Sequence, residues 1–199
     1  MAISPRRYAR ALYCLVLVLL ASAPLLAQEL LLNGDFEGGF ITTANGPVAA
    51  GWTPCARPNL DGVRYYTGNY AGLGDYQKVA PNSLNREAGV GQSVTGLTPG
   101  TLLRFAVDVY QKTPGCTIWI AIDPNNSLPP WTLPERSFQI PYNVSKWTHQ
   151  EITATVGPGG EVAVYIWAYQ EDGNLMSYVN FNDASLTRAR TVVDDLATV

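Results

Sequence analysis

The chain has 199 residues, of which 13 are Lys or Arg and 16 are Asp or Glu, so its formal net charge is −3. Basic residues form no cluster outside the first ten positions, whereas binding of nucleic acid needs a concentrated basic stripe. The composition therefore argues against nucleic acid and other polyanions as partners. A chain of this length can bury one substantial core, which predicts a single domain.

Residues 1–27 have the pattern of a secretory signal peptide. Arg6, Arg7 and Arg10 give a basic start, residues 11–20 form an apolar run, and small residues lead up to Ala27. The apolar run is shorter than the roughly 20 residues that cross a bilayer, which favours a signal peptide over a membrane anchor. We therefore predict a secreted protein without a membrane span. Loss of the three arginines changes the formal charge from −3 to −6.

Beyond the leader, short runs of β-forming residues are separated by clusters of Gly, Pro, Asn and Asp. Positions 102–110 and 117–123 alternate between two faces, and positions 146–156 and 161–170 continue this pattern. Turn sequences at 98–100, 158–160 and 172–174 punctuate the candidate strands. The patterns predict an all-β fold, with one domain over residues 28–188 and a C-terminal tail over 189–199.

Two cysteines follow the leader, Cys55 and Cys116. Outside the cytoplasm such a pair is a disulfide candidate, and closing this loop would remove roughly 4 kcal/mol of unfolded-chain entropy. The alternative is two buried or half-exposed thiols, because a domain of this size does not need a crosslink. The single histidine, His149, lies close to Trp147 on a candidate strand, which favours a surface or packing role over metal ligation or catalysis.

Several motifs occur in a characteristic order: NGDFE at 33–37, GW at 51–52, GQSVTGLTPGT at 91–101 and VNFNDASL at 179–186. Together they resemble the galactose-binding-like jelly roll, and are most similar to carbohydrate-binding modules of the family 4, 9 and 22 type. The resemblance implies a jelly-roll β-sandwich and a carbohydrate partner, either a polysaccharide or a cell-surface glycan. One departure is Asn182, which stands where the family usually has the first Asp of its closing strand.

The resemblance also implies a structural calcium ion between the opening turn and the closing strand. Glu37 and Asp183 are the acids at the matching positions, with the backbone carbonyl of Asp35 as a third ligand, and Ca²⁺ prefers hard oxygen ligands of this kind. In the alternative interpretation, Asp35 caps a turn and Glu37 is a solvated charge.

The alternation along 161–170 predicts a ligand-binding face. If the valines of this strand face the core, its aromatic residues project from the opposite side. Aromatic rings can stack on a sugar ring, while polar side chains bind its hydroxyls. Assuming that three strands share one face in jelly-roll order, the predicted ligand-binding residues are Trp119, Tyr165, Trp167, Tyr169, Arg104, Asp108 and Tyr110.

An alternative interpretation assigns these aromatic side chains to packing, because Tyr and Trp are good strand formers and stabilise each other across strands. The loop at 124–138 could also cover them. Tyr65, Tyr66 and Tyr70 are assigned to core or turn packing.

No catalytic motif is apparent in the sequence. A glycosidase needs two carboxylates flanking the scissile bond, and no acid here forms a motif with a second one. A Gly-x-Ser-x-Gly nucleophile elbow is also absent from the sequence. The prediction is a secreted, non-catalytic protein that binds carbohydrate. The alternative is an extracellular structural or adhesion protein that uses the same fold for protein contacts.

Overall fold

The computed structural model describes residues 28–82, 85–111, 116–127, 129–132, 137–140, 146–170 and 178–189. The predicted signal peptide and residues 190–199 of the predicted tail lie outside these ranges. In the part of the chain that is described, no helix is long and apolar enough to span a membrane.

The described residues form strands and one short 3₁₀ helix, Pro130–Thr132. In chain order the strands are β1 (Phe40–Thr43), β2 (Gly46–Ala49), β3 (Thr53–Arg57), β4 (Arg64–Tyr70), β5 (Gly74–Ala80), β6 (Glu87–Val94), β7 (Leu102–Gln111), β8 (Cys116–Asp123), β9 (Ser137–Ile140), β10 (Thr148–Thr155), β11 (Val162–Gln170) and β12 (Val179–Arg188).

The strands form two five-stranded antiparallel sheets and a small β1–β2 hairpin. We call the sheet with the order β10-β7-β12-β5-β4 the front sheet, and the sheet with the order β3-β6-β11-β8-β9 the back sheet. Consecutive strands repeatedly change sheet, and the last strand, β12, lies at the centre of the front sheet. The predicted all-β jelly-roll sandwich is confirmed.

The core lies between the two sheets and follows the predicted alternation. On β7 the inward residues are Leu103, Phe105, Val107 and Val109, which are all buried. The inward side chains of β8 and β11 meet them from the back sheet; they are Ile118, Ile120, Ile122, Val162, Val164 and Ile166. This burial of apolar surface is the main force holding the sheets together.

A buried tyrosine connects the two sheets through hydrogen bonds. Tyr65, on β4 of the front sheet, donates its hydroxyl to the carbonyl oxygens of Cys55 (3.1 Å) and Gly89 (3.0 Å) on the back sheet. Burial raises the pKa of the Tyr65 hydroxyl, so it stays protonated and remains a donor. The sequence-based assignment of Tyr65 to the core is thus confirmed.

Cys55 and Cys116 do not form a disulfide with each other, so the disulfide alternative is wrong. Cys55 lies on β3 at the edge of the back sheet, and Cys116 begins β8, with β6 and β11 between these strands. Three strand spacings correspond to about 14 Å, whereas a disulfide needs Cα atoms within about 7 Å. Cys116 also faces the core, while Cys55 pairs in register with Gly89 and projects outward.

The first described residues form an arm that pairs with β12. The backbone N–H of Leu30 donates to the Leu186 carbonyl (2.9 Å), and that of Ala184 donates to the Gly34 carbonyl (2.9 Å). The carboxylate of Glu29 accepts hydrogen bonds from the Leu186 N–H (2.9 Å) and the Ser185 hydroxyl (2.6 Å). The arm therefore runs antiparallel to the closing strand, and Glu29 fastens its outer end.

Candidate functional site

The outer face of the front sheet carries an aromatic cluster centred on Trp147, which precedes β10. The Trp147 ring lies 5.4 Å from Tyr110 on β7, 6.1 Å from Tyr76 on β5 and 6.3 Å from Tyr70 on β4, between ring centroids. Because β12 lies between β7 and β5, a ring that contacts both Tyr110 and Tyr76 must extend across β12. We call this surface the front face.

The strand register aligns four side chains across the front face. Tyr110 pairs with Asn180, Asn180 with Lys78, and Lys78 with Tyr66. The Lys78 ammonium lies 5.2 Å from the Tyr66 ring centroid and 3.5 Å from that of Tyr178, which are cation–π distances. Tyr66 and Tyr70 are 43% and 50% exposed, so both rings are available to a ligand.

Two buried amides lie on β12 in the same face. Asn180 is 5% exposed and Asn182 is 1% exposed. The Asn182 Nδ2 donates a hydrogen bond to the Leu73 carbonyl (2.7 Å). This bond fixes the orientation of the Asn182 side-chain amide, so its Oδ1 points away from Leu73. In the described part of the chain, the Oδ1 atoms of both Asn residues and the Nε1 of Trp147 are buried without a hydrogen-bond partner. Each such unpaired atom costs about 1–3 kcal/mol. All three atoms are closed off from solvent in this structure.

Charged side chains border these amides. Asp108 pairs in register with Asn182, and its Oδ1 lies 2.7 Å from the His149 Nδ1. Further along the same strands, Arg104 Nη1 lies 3.3 Å from Glu151 Oε2, with both side chains about half exposed. The prediction of a surface role for His149 agrees with its exposed side chain.

The aromatic residues predicted on β8 and β11 lie on the outer face of the back sheet. Trp119 and Trp167 stack with their centroids 6.1 Å apart and an interplanar angle of 13°. Trp167 is only 4% exposed, and the half-buried Trp119 and Tyr165 pack around it with Ala121. The Tyr169 hydroxyl donates to the Asn85 Oδ1 (2.7 Å). For Trp167 the structure therefore agrees with the packing interpretation.

Two glycines on β6 allow this packing. Gly89 pairs with Trp167, and Gly91 pairs with Tyr165. A Cβ on Gly91 would lie 2.5 Å from Cδ1 of the Tyr165 ring, and one on Gly89 would overlap the Ile166 carbonyl oxygen and the Trp167 Cβ. The aromatic side chains thus lie directly against the β6 backbone. The loop predicted to cover them, 124–138, lies partly outside the described residues.

The prediction that all these residues share one face is wrong. Arg104, Asp108 and Tyr110 lie on β7 in the front sheet, whereas Trp119, Tyr165, Trp167 and Tyr169 lie on β8 and β11 in the back sheet. The alternation predicted the outward side of each strand correctly. It contains no information about which sheet a strand joins, and β7 and β8 are consecutive strands in opposite sheets.

Sequence reasoning missed most of the front face. Tyr66 and Tyr70 were assigned to packing but are exposed, and Tyr76, Lys78, Trp147, Asn180 and Asn182 were not singled out. The available signal was the alternation of 64–70, where Tyr65 faces inward and Tyr66 and Tyr70 face outward. The two Asn residues stand at alternate positions of a strand whose inward residues are Val179 and Phe181, which indicated an outward polar pair.

The acids predicted to bind calcium lie near one end of the front sheet. The Glu37 Oε1 accepts a hydrogen bond from the Asp75 N–H (2.6 Å), and the Asp35 Oδ1 accepts one from the Glu37 N–H (3.2 Å). Desolvation and the carboxylates of Asp108, Asp35 and Glu37 raise the pKa of Asp183, while His149 lowers it. Among the described residues, no group of three or more His, Cys, Asp and Glu side chains is arranged to hold a metal ion. A calcium ion would therefore also need backbone or amide oxygens as ligands.

No family model and no curated protein matches the sequence. Solved structures do share the fold. A family 61 carbohydrate-binding module in complex with β-1,4-galactotriose has a TM-score of 0.56 and 16% identity, over 82% of this chain and 100% of the module. The CBM22-1 xylan-binding domain of Xyn10C from Paenibacillus barcinonensis has a TM-score of 0.54 and 13% identity, over 85% of this chain and 100% of that domain.

An enzyme shares the fold as well. A Stig cyclase from Fischerella sp. TAU, solved in complex with an indole compound, has a TM-score of 0.58 and 14% identity, over 83% of this chain and 100% of the cyclase. Identities this low establish a common fold and nothing about a common activity. The chain therefore has the jelly-roll sandwich found in carbohydrate-binding modules, as the sequence resemblance predicted.

Proposed function

We propose that this protein is a secreted, non-catalytic carbohydrate-binding protein that holds a polysaccharide or cell-surface glycan against its front face. The observation that carries the proposal is the cluster of Trp147 with Tyr70, Tyr76 and Tyr110, which is bordered by the accessible polar side chains of Asp108 and His149. Flat apolar rings and a few fixed polar atoms are the combination that sugar rings require.

The dimensions of the front face support a chain-like ligand. Five strands at a spacing of about 4.8 Å span roughly 19 Å, which accommodates several linked sugars. Exposed tyrosines stand at the β4 edge, and Trp147 comes from the β10 edge. A glycan lying across the strands would meet aromatic rings along its length.

Secretion and the absence of catalysis are parts of the proposal that rest on the sequence. Residues 1–27 support export, and the lack of a paired-carboxylate or nucleophile-elbow motif supports binding without chemistry. The alternative, an adhesion protein, would use the same tyrosines for protein contacts, since Tyr and Trp are enriched in such interfaces.

Calcium at Asp35, Glu37 and Asp183 is a further part of the proposal. A divalent cation near these acids would offset the repulsion that raises the pKa of Asp183. It would hold the opening turn against the closing strand, so its effect would be on stability and not on glycan contacts.

The test compares alanine variants of the two faces. The protein from residue 28 onward is assayed on a glycan array and on insoluble polysaccharides, together with Tyr110→Ala, Trp147→Ala and the back-sheet control Trp119→Ala. We expect retention on one glycan class, a loss of about tenfold or more in the two front-face variants, and little change in the control.

Melting curves of all four proteins separate loss of binding from loss of folding. A folded wild-type protein that is retained on no glycan would support the adhesion alternative. A loss confined to Trp119→Ala would move the binding surface to the back sheet.

A further inference from the structure

Gln28 is the residue that follows the predicted leader. The sequence predicts cleavage after Ala27, so the proposed secretion makes Gln28 the first residue of the mature protein. In the structure Gln28 is exposed, and it precedes Leu30, where the arm begins to pair with β12. A glutamine at an N-terminus holds an α-amine and a side-chain amide within one residue. Because the two groups are held close together, they can close into a lactam ring.

Ring closure needs no reactant from outside the chain. The α-amine nitrogen of Gln28 attacks the Cδ atom of its own side-chain amide and forms an N–Cδ bond. The Cδ–Nε2 bond breaks, and the Nε2 atom leaves as ammonia. The product is pyroglutamate, and no atom is oxidised or reduced. A chain with this first residue has no free α-amine and no positive charge at its start.

The residue after Gln28 is the one that fastens the arm. The Glu29 Oε1 accepts hydrogen bonds from the backbone N–H groups of Leu30 (3.0 Å), Leu31 (2.9 Å) and Leu186 (2.9 Å). The Glu29 Oε2 accepts one from the Ser185 hydroxyl (2.6 Å). A single carboxylate thus bonds both to the arm and to the closing strand β12.

The fold itself does not shield this carboxylate from trimming. Gln28 and Glu29 are both exposed, whereas Leu30 is half-buried and its N–H donates to the Leu186 carbonyl. Exposed chain termini are preferred sites of proteolysis. An aminopeptidase acting on an open N-terminus would therefore remove Glu29 before it reached the paired part of the arm.

We propose that Gln28 of the secreted protein is converted into pyroglutamate, and that this blocked terminus protects Glu29 from aminopeptidases. The proposal rests on the secretion part of the proposed function, since removal of the leader frees the α-amine of Gln28. An aminopeptidase that recognises a free α-amine cannot act on the lactam. The modification thereby preserves the contacts that hold the arm on β12.

The first measurement is the mass of the secreted protein and of its N-terminal peptide, from cells that express the full chain with its own leader. We expect a chain that begins at residue 28 and is lighter than its sequence by the mass of one ammonia molecule. Gln28→Ser is the matched control, because its side chain has no amide and cannot form the lactam. Its mass should equal that of its sequence.

The second measurement tests what the ring protects. Both secreted proteins are incubated with an aminopeptidase of broad specificity, and their masses and melting curves are then recorded. The wild-type protein should keep its mass and its melting temperature. The Gln28→Ser variant should lose residues 28 and 29 and should then melt at the lower temperature of an untreated Glu29→Ala variant.

The possible failures are distinguishable. A chain that is not exported, or that keeps its leader, would contradict the proposed secretion and this proposal with it. A secreted chain that begins at residue 28 with a free α-amine, or that begins at another residue, would overturn this proposal alone. A Gln28→Ser variant that keeps Glu29 under the aminopeptidase, or that melts like wild type after losing it, would overturn the protective role.

Discussion

Asp183 occupies an electrostatically unfavourable position. It lies at the bulge of β12 with a φ of +47°. Desolvation, followed by the carboxylates of Asp108, Asp35 and Glu37, raises its pKa above the usual 3.8. A raised pKa means that the folded protein binds this proton more tightly than the unfolded chain does. The corresponding stability is present below pH 3.8 and is lost as the pH rises through the folded-state pKa.

Replacing this carboxylate should therefore stabilise the protein in a pH-dependent way. Asp183→Asn should raise the melting temperature at about pH 7 in the presence of chelator, and the gain should shrink as the pH approaches about 3.5. Asn also tolerates a positive φ, but that backbone contribution does not vary with pH. A gain of equal size at both pH values would show that charge repulsion is not its cause.

In the presence of calcium, Asp183→Asn should lower the melting temperature relative to wild type, because a bound calcium ion would need the ionised Asp183 carboxylate. With millimolar calcium, the wild-type protein should melt at a higher temperature, and Asp183→Asn should lose that gain. A melting temperature that calcium and chelator leave unchanged would favour the interpretation of Asp35 as a turn cap and Glu37 as a backbone acceptor.

At the scale of elements, two positions of β6 are constrained to glycine by the neighbouring strand β11. The two outward glycines of β6 receive the Trp167 and Tyr165 side chains of β11. A Cβ at position 89 would clash with the Ile166 carbonyl oxygen, which belongs to the backbone of β11. Removing this clash would require β6 and β11 to move apart.

Gly89→Ala should therefore destabilise the protein by about 1–3 kcal/mol, as overpacking typically does. Gly159→Ala is the matched control and should be nearly neutral, because a Cβ at that position would have no atom within 4 Å and its φ is not positive. Urea unfolding of both variants measures the difference. A Gly89→Ala variant as stable as the control would mean that Trp167 moves easily and is not part of a packed cluster.

The strands also show what the sequence can predict. The period of two fixed the inward residues of β7, β8 and β11 correctly, because burial of apolar side chains is a local property of each strand. Membership of a sheet depends on pairing between residues far apart in the chain. The aromatic residues were therefore assigned to the correct outer side of each strand, while the front-sheet residue Tyr110 was wrongly grouped with the back-sheet residue Trp167.

At the scale of the whole molecule, stability comes from the shared core and not from a crosslink. Cys55 and Cys116 lie on different faces and three strands apart, and the hydrogen bonds of Tyr65 connect the sheets instead. Burial, together with the charge of Glu87, raises the pKa of the Cys55 thiol to about 12. Almost no reactive thiolate forms at neutral pH.

Reducing agent should therefore leave the melting temperature unchanged. In the native protein Cys55 should resist alkylation by iodoacetamide, and both cysteines should react after unfolding, which mass spectrometry of the labelled peptides would measure. A lower melting temperature in dithiothreitol would contradict a structure in which Cys55 and Cys116 are not crosslinked.

The site as a whole was less predictable than the fold. Motif order and spacing were sufficient for the jelly roll, since turns and closing strand recur at set positions. The front face is assembled from β4, β5, β7, β12 and the residue before β10. These elements are far apart in the chain; the hydrogen bond between Asn182 and Leu73, for example, joins residues that are 109 positions apart. Only the folded sheet brings these side chains together.

The antiparallel pairing of the arm with β12 has a mechanical consequence. The start of the arm and the end of β12 lie side by side, so a pull applied through both would load the Glu29 contacts with Ser185 and Leu186 first. Those hydrogen bonds would then break one after another, as in a zipper, and not all at once, as in shear. A protein tethered through these two ends would therefore open at low force.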